Sequence, residues 1–262
     1  MNIKAIQKVA ELDCVDPLFV PPSPGDDSLG MGGAYHCGQE LDGAGMKPLA
    51  NAYLGTDITS VEVSQLLARI RGEGKNYLVQ DGVSPAVVAG QLAKGRVVGR
   101  CGGRMEFGAR SLGNRSIIAD ARSAKMIRVI NDKIKNRDFW MPFAPAILKE
   151  RADKYLVNPK GLSAPYTTIA FETHEIAQQH LAAGIHPADF TARLQMVDRE
   201  QNPQFHALIS EFEKLTGVGG VLNTSFNLHG EPIVRSAEDA YRVFELTDID
   251  DLWVGDALVS KV

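Results

Sequence analysis

Two segments of the chain concentrate residue types that handle phosphate. In Gly102–Ser116, Gly102, Gly103, Gly108 and Gly113 alternate with Arg104, Arg110 and Arg115. Glycine lets a backbone turn tightly or approach a ligand, and guanidinium forks match phosphate oxygens in pairs. In Asn223–Pro232, the residues Asn223, Thr224, Ser225 and Asn227 fall within five positions, directly after an apolar run. Such short polar side chains at a strand end can hold phosphate and ribose hydroxyls, or can satisfy their own turn. Between these segments stand Lys135 and Arg137, at the point where Pro142 and Pro145 must break a helix. Cations at a helix C-terminus are favourable in themselves; the same pair could also grip a triphosphate or an acyl phosphate.

Charge distribution agrees with an anion site. From Arg100 to Arg137 there are ten basic and three acidic residues, a local surplus of seven in a chain of net charge −4. The stretch reads either as a solvated basic face or as an anion-binding surface. Nucleic acid is disfavoured as a partner, because the chain is acidic overall and the basic stretch has few aromatics for base stacking. Cys14, Cys37 and Cys101 form no C-x-x-C pair and read as reduced thiols of a cytoplasmic protein. No apolar run approaches the roughly 18 residues of a membrane span, and no membrane partner is expected.

The elements that must position these residues follow from periodicity. Helices are predicted over 61–71, 84–94, 124–134, 204–215 and from Ser236 to about Leu246. Of these, 204–215 has the clearest apolar face: Phe205, Leu208, Ile209, Phe212 and Leu215, closed by Gly217. Strands are predicted over 96–100, 116–119, 166–171, 192–197, 220–223 and 252–259. Helices and strands mix without strict alternation. The fold class is therefore α/β (α+β), a mixed sheet with packed helices. Residues 1–58 are rich in Pro and Gly and read as loops unable to form a core alone; residues 59–262 read as the folded domain.

Taken together, Gly103–Ile118, Ile134–Arg137, Pro142–Pro145, Thr191–Gln195 and Asn223–Pro232 resemble the signature blocks of the O-carbamoyltransferases of nodulation-factor and antibiotic biosynthesis. The resemblance implies a YrdC-like domain with a twisted mixed sheet and a basic concave face. It would make carbamoyl-adenylate from carbamoyl phosphate and ATP with Mg²⁺, for transfer to an acceptor hydroxyl whose identity the sequence does not give. By the same resemblance Lys135, Arg137 and Arg193 are the catalytic cations, with Arg104, Arg110, Arg115, Asn131, Asn223, Ser225, Asn227 and Glu231 at the nucleotide and substrate. Residues 1–58 would be the end of an actin-like transfer domain that binds iron, with Asp26 aligned to a metal ligand whose histidine partners are absent here. Ala109 and Met141 depart from the family's usual Pro and Arg. A nucleotide- or RNA-binding module without carbamoyl transfer is the alternative.

Overall fold

The computed structural model describes residues 2–16, 18–43, 47–135 and 143–262, with the side chains of Asp42 and Lys135 left aside. Arg137 and Met141 lie outside the described residues. In chain order the elements are α1 (Ile3–Glu11), α2 (Leu29–Asp42), α3 (Ser60–Gly72), β1 (Tyr77–Gln80), α4 (Pro85–Ala93), β2 (Val98–Cys101), β3 (Arg115–Ala119) and α5 (Lys125–Ile130). They continue with β4 (Ala144–Leu148), α6 (Ala152–Tyr155), β5 (Leu156–Val157), β6 (Ala170–Thr173), α7 (Glu175–His180), β7 (Thr191–Arg193) and β8 (Gln195–Val197). The last are α8 (Pro203–Thr216), β9 (Gly220–Ser225), α9 (Ala237–Glu245), β10 (Asp251–Val254) and β11 (Ala257–Lys261).

The expected mixed sheet is present: eight strands in the order β1-β11-β10-β2-β3-β9-β4-β8. Two neighbouring pairs are parallel, β10 with β2 and β4 with β8; the others are antiparallel. A second sheet, β5-β6-β7, is antiparallel throughout. Strands β2, β3 and β4 are buried at every position, so both faces of the large sheet are covered there. Double-sided burial suits the apolar stretches of β3 (117–119) and β4, while β2 and β3 also carry the buried Arg100 and Arg115. Helix α8 lays Phe205, Leu208, Ile209 and Phe212 on the core. Asn202 caps it, Pro203 opens it and Gly217 ends it at φ +76°. Capping boxes start α3 (Thr59/Glu62) and α9 (Ser236/Asp239). Each satisfies two helix-end N–H groups reciprocally.

Several expectations needed correction. Residues 192–197, read as one strand, divide at Leu194: β7 joins the small sheet and β8 the large one. Residues 252–259 form a hairpin, because Gly255 adopts φ +58° and reverses the chain between β10 and β11. The run 166–171 cannot be a single strand, since Thr167 sits at φ +57°. The helix expected over 124–134 is α-helical only to Ile130 and then widens to a π-turn over Asn131–Lys135.

Residues 1–58 are not all loop. Helix α1 buries Gln7 and Ala10 against the small sheet. It is tied there by Lys4 Nζ, 2.6 Å from Asp189 Oδ2 and 2.5 Å from Thr191 Oγ1. Ala52 and Tyr53 bury against Leu112 and Tyr166. Helix α2 instead exposes Leu29 and Leu41. Helix α2 was hidden in sequence by its glycines, four of which (Gly30, Gly32, Gly33 and Gly38) lie inside it.

Candidate functional site

The loop from Gly102 to Asn114 is held by one carboxylate. Glu106, buried, accepts through Oε1 from the main-chain N–H groups of Leu112 (2.7 Å), Asn114 (2.9 Å) and Arg115 (3.2 Å). The loop therefore arrives at β3 in one fixed shape. Positive φ at Gly103, Gly108 and Gly113 makes that shape accessible. At Gly113 a Cβ would stand 2.3 Å from the Phe205 ring, so only glycine fits.

Strand β9 pairs with β3 on one side and β4 on the other, with Ser116 opposite Ser225 and Ala144 opposite Asn223. This register brings the two phosphate-type segments side by side. Where the strands end, Ala109, Arg110, Ser111, Phe143, Ala144, Thr167, Arg193, Asn223, Thr224 and Ser225 enclose a slot of about 30 Å³. Two arginines from separate motifs, Arg110 before β3 and Arg193 at the end of β7, thus meet the hydroxyl residues of β9. Asn223 is fixed from below: its Nδ2 donates to Ser111 O (3.1 Å) and Gln195 Oε1 (3.2 Å), and its Oδ1 accepts from Ser111 Oγ (3.2 Å). Ser225 Oγ donates to Asn227 Oδ1 (2.8 Å), while Asn227 Nδ2 donates to the carbonyls of Leu228 and Glu231 (2.8 Å each). The Ser225/Asn227 turn is therefore preset.

The other predicted residues stand elsewhere. Arg115 is not a ligand donor in this arrangement: it is fully buried and its guanidinium donates to the carbonyls of Thr56, Gly102, Gly103, Asn114 and Arg235. Arg104 is exposed, donates to Gly55 O (3.0 Å) and Leu54 O (2.8 Å), and borders a separate cleft. Asn131 is buried in the π-turn beside Lys133, Leu228 and Thr247, with Oδ1 unpartnered among the described residues. Glu231 pairs with Arg242. The backbone of Lys135 closes the π-turn; Arg137, its expected partner, lies outside the described residues. Asp26 is exposed on a short 3₁₀ turn, and no group of three His, Cys, Asp or Glu residues suited to a metal occurs among the described residues. A single carboxylate does not make a metal centre, and Asp26 is the one residue of this chain that the resemblance aligned to an iron ligand.

Sequence reasoning missed Thr167, Ser111 and Gln195. Thr167 is 2% exposed and lines the slot in a left-handed conformation that β-branched residues rarely adopt. Nothing in a single sequence marks such a backbone. Cys101, at the end of β2, is buried, and that burial pushes its thiol up to about 12, so it offers no nucleophilic thiolate.

This arrangement coincides with a family relationship. Residues 89–261 match the family described as carbamoyltransferase C-terminus, and the chain belongs to that family. It is 37% identical to nodulation protein NolO of Bradyrhizobium diazoefficiens, over 94% of this chain and 45% of that protein. It is 32% identical to nodulation protein U of Sinorhizobium fredii, over all of this chain and 42% of that one. An uncharacterized protein of Methanocaldococcus jannaschii is 35% identical over 94% and 40% respectively. The chain thus spans less than half the length of each of these relatives. Among solved structures, full-length HypF in the phosphate- and nucleotide-bound form overlaps 71% of this chain and 22% of its own, at 17% identity and TM-score 0.46. No helix among the described residues is long and apolar enough to cross a membrane.

Proposed function

We propose that this chain is the nucleotide-activating part of a carbamoyltransferase, forming carbamoyl-adenylate from carbamoyl phosphate and ATP. The observation that carries the reading is the slot, where Arg110 and Arg193 converge on Thr224 and Ser225 at the ends of β7 and β9. Water first cleaves carbamoyl phosphate to carbamate and phosphate. A carbamate oxygen then attacks the α-phosphorus of ATP, and the bond to pyrophosphate breaks. At about 30 Å³ the slot has roughly the volume of one water, so it would take a single anionic oxygen, with the rest of the carbamoyl group and of the nucleotide outside it. Arginines placed there would neutralise charge that grows on the phosphate oxygens, and the rigid Asn223 and Ser225 would orient the reactants. Lys135 and Arg137 belong to the proposal as cations for the leaving pyrophosphate. Mg²⁺ would enter with ATP as part of the substrate. Transfer to an acceptor hydroxyl would follow on the part of the relatives that this chain does not span.

Pyrophosphate release, measured with ATP, Mg²⁺ and carbamoyl phosphate, tests the reading. Arg193→Ala should lower the rate roughly 10²–10³-fold while melting within a few degrees of the parent. Equal rates in parent and variant would remove Arg193 from the chemistry. Saturable ATP binding without pyrophosphate release would favour the simpler nucleotide-binding module.

A further inference from the structure

A second polar concavity lies on the other side of the Gly102–Asn114 loop, between residues 49–54 and the start of α8. Its volume is about 540 Å³, within the usual range for small-molecule sites. On its wall stands Arg100, on β2 and 1% exposed. Its guanidinium stacks on the Trp253 ring at 4.0 Å. Nε donates to Gly113 O at 2.6 Å. Nη2 donates to Gln204 Oε1 at 2.8 Å and reaches Asn114 Oδ1 at a marginal 3.5 Å. Nη1 has no hydrogen-bond partner among the described residues. Arg100 forms no ion pair among the described residues; Glu106 acts on it only through its field. A buried cation without an ion-pair partner is costly, and the oxygen at Nη2 comes from an exposed side chain on the first turn of α8. Gln204 thus occupies the position of a replaceable acceptor.

The rest of the lining suggests what would replace it. Asn51 and Gln201, half-exposed on the wall, carry carboxamides, which both donate and accept and so suit hydroxyl groups. Those of Asn114 and Asn202 are buried and bonded to one another, to Arg104 O, to Tyr53 Oη and to the Phe205 N–H, and fix the floor. Leu49, Tyr53 and Leu54 supply apolar surface for a ring face. The N-terminus of the 14-residue α8 adds positive potential. We propose that the cleft lined by Tyr53, Arg100, Arg104, Asn114, Asn202 and Gln204 binds a polyhydroxylated small molecule bearing an oxyanion, which displaces the Gln204 side chain from Arg100. This site is separate from the slot, and its occupancy does not depend on adenylate chemistry.

Calorimetric titration of the chain with glucose 6-phosphate, glucuronate, glucose and inorganic phosphate tests it. One or both sugar anions should bind at least about tenfold more tightly than glucose or phosphate alone. The phosphate and carboxylate arms then distinguish the anion. Gln204 is exposed, so its variants should fold. Gln204→Glu places a carboxylate against Arg100 and should weaken sugar-anion binding at least about tenfold while raising the melting temperature. Gln204→Ala removes the internal competitor and should tighten binding. Absence of binding by both sugar anions up to about 10 mM would overturn the proposal. So would affinities equal to that of glucose, or unchanged affinity in Gln204→Glu.

Discussion

Arg100 and Arg115 lie on neighbouring antiparallel strands, on either side of the same glycine-rich loop, and are almost equally hidden from solvent. Their surroundings differ. Arg115 makes five hydrogen bonds to main-chain carbonyls of three chain segments, at 3.0–3.3 Å. It thereby fastens residue 56, the 102–114 loop and the turn before α9 to one another. Arg100 has one short main-chain bond, one borrowed from an exposed glutamine, and an orphaned Nη1. Burial accordingly pushes its pKa down to about 10, which still leaves it charged at neutral pH. The same residue type at the same depth is a structural clamp in one place and an under-satisfied cation facing a cleft in the other. Burial alone does not separate the two roles; the count and origin of acceptors does.

The largest effect is expected at Arg115→Met, which strips five carbonyls of their donor. A loss of about 3–5 kcal/mol in denaturant-induced unfolding is expected, as for breaking a buried charged network. A variant as stable as the parent would contradict the clamp. Gly113→Ala comes next, since it must hold φ +109° and push Phe205 aside. Strain plus overpacking predicts about 2–4 kcal/mol, again read from denaturant melts.

At the far end of Arg115's reach, Asp239 closes the capping box of α9. Burial acts to raise its pKa, but hydrogen bonds from Ser236 and the main chain of Arg235 outweigh this and hold it below the usual carboxylate value. A lowered folded pKa gives stability that is present above about pH 4 and lost as pH falls through the folded value. Asp239→Asn should therefore cost about 1 kcal/mol at pH 7, and the gap to the parent should close on acidification below about pH 4. Melting curves from pH 7 to pH 2 check the sign.

The smallest effect is expected at Arg100→Met. An apolar residue of similar length can stay against Trp253 without carrying a buried charge, so stability should change by less than about 1.5 kcal/mol in either direction. A loss as large as that of Arg115→Met would erase the difference between the two arginines and make Arg100 structural.

Much of the scaffold was legible from the sequence. The α8 face, its Gly217 stop and the Ser236 capping box are local patterns, and local patterns survive folding. The phosphate-type segments were legible as chemistry, and β9 does follow its apolar run into the Ser225/Asn227 turn. Less legible were the breaks. Leu194 and Gly255 each divide an apolar stretch that reads as one strand. At Leu194 the choice of sheet for each half rests on partners distant in sequence, and at Gly255 a positive φ folds the stretch back on itself as a hairpin. Helix α1 was obscured because its stability comes from packing on the small sheet rather than from its surroundings in the chain.

Residue types, charge surplus and motif order by themselves determined that this chain is a mixed α/β protein carrying an arginine- and glycine-rich anion segment. Those properties follow from composition and short-range pattern. Which arginine does what was decided by tertiary structure alone. Arg104, Arg110 and Arg115 lie within twelve residues and look equivalent as a motif. The loop shape set by Glu106 sends Arg110 to the slot, Arg104 to the rim of the cleft and Arg115 into the core. Arg100, with no motif reading of its own, emerges as a buried cation whose Nη1 has no partner among the described residues. A guanidinium's role depends on which acceptors surround it, and the fold brings those acceptors from residues 54 to 56, 102 to 114, 204 and 235.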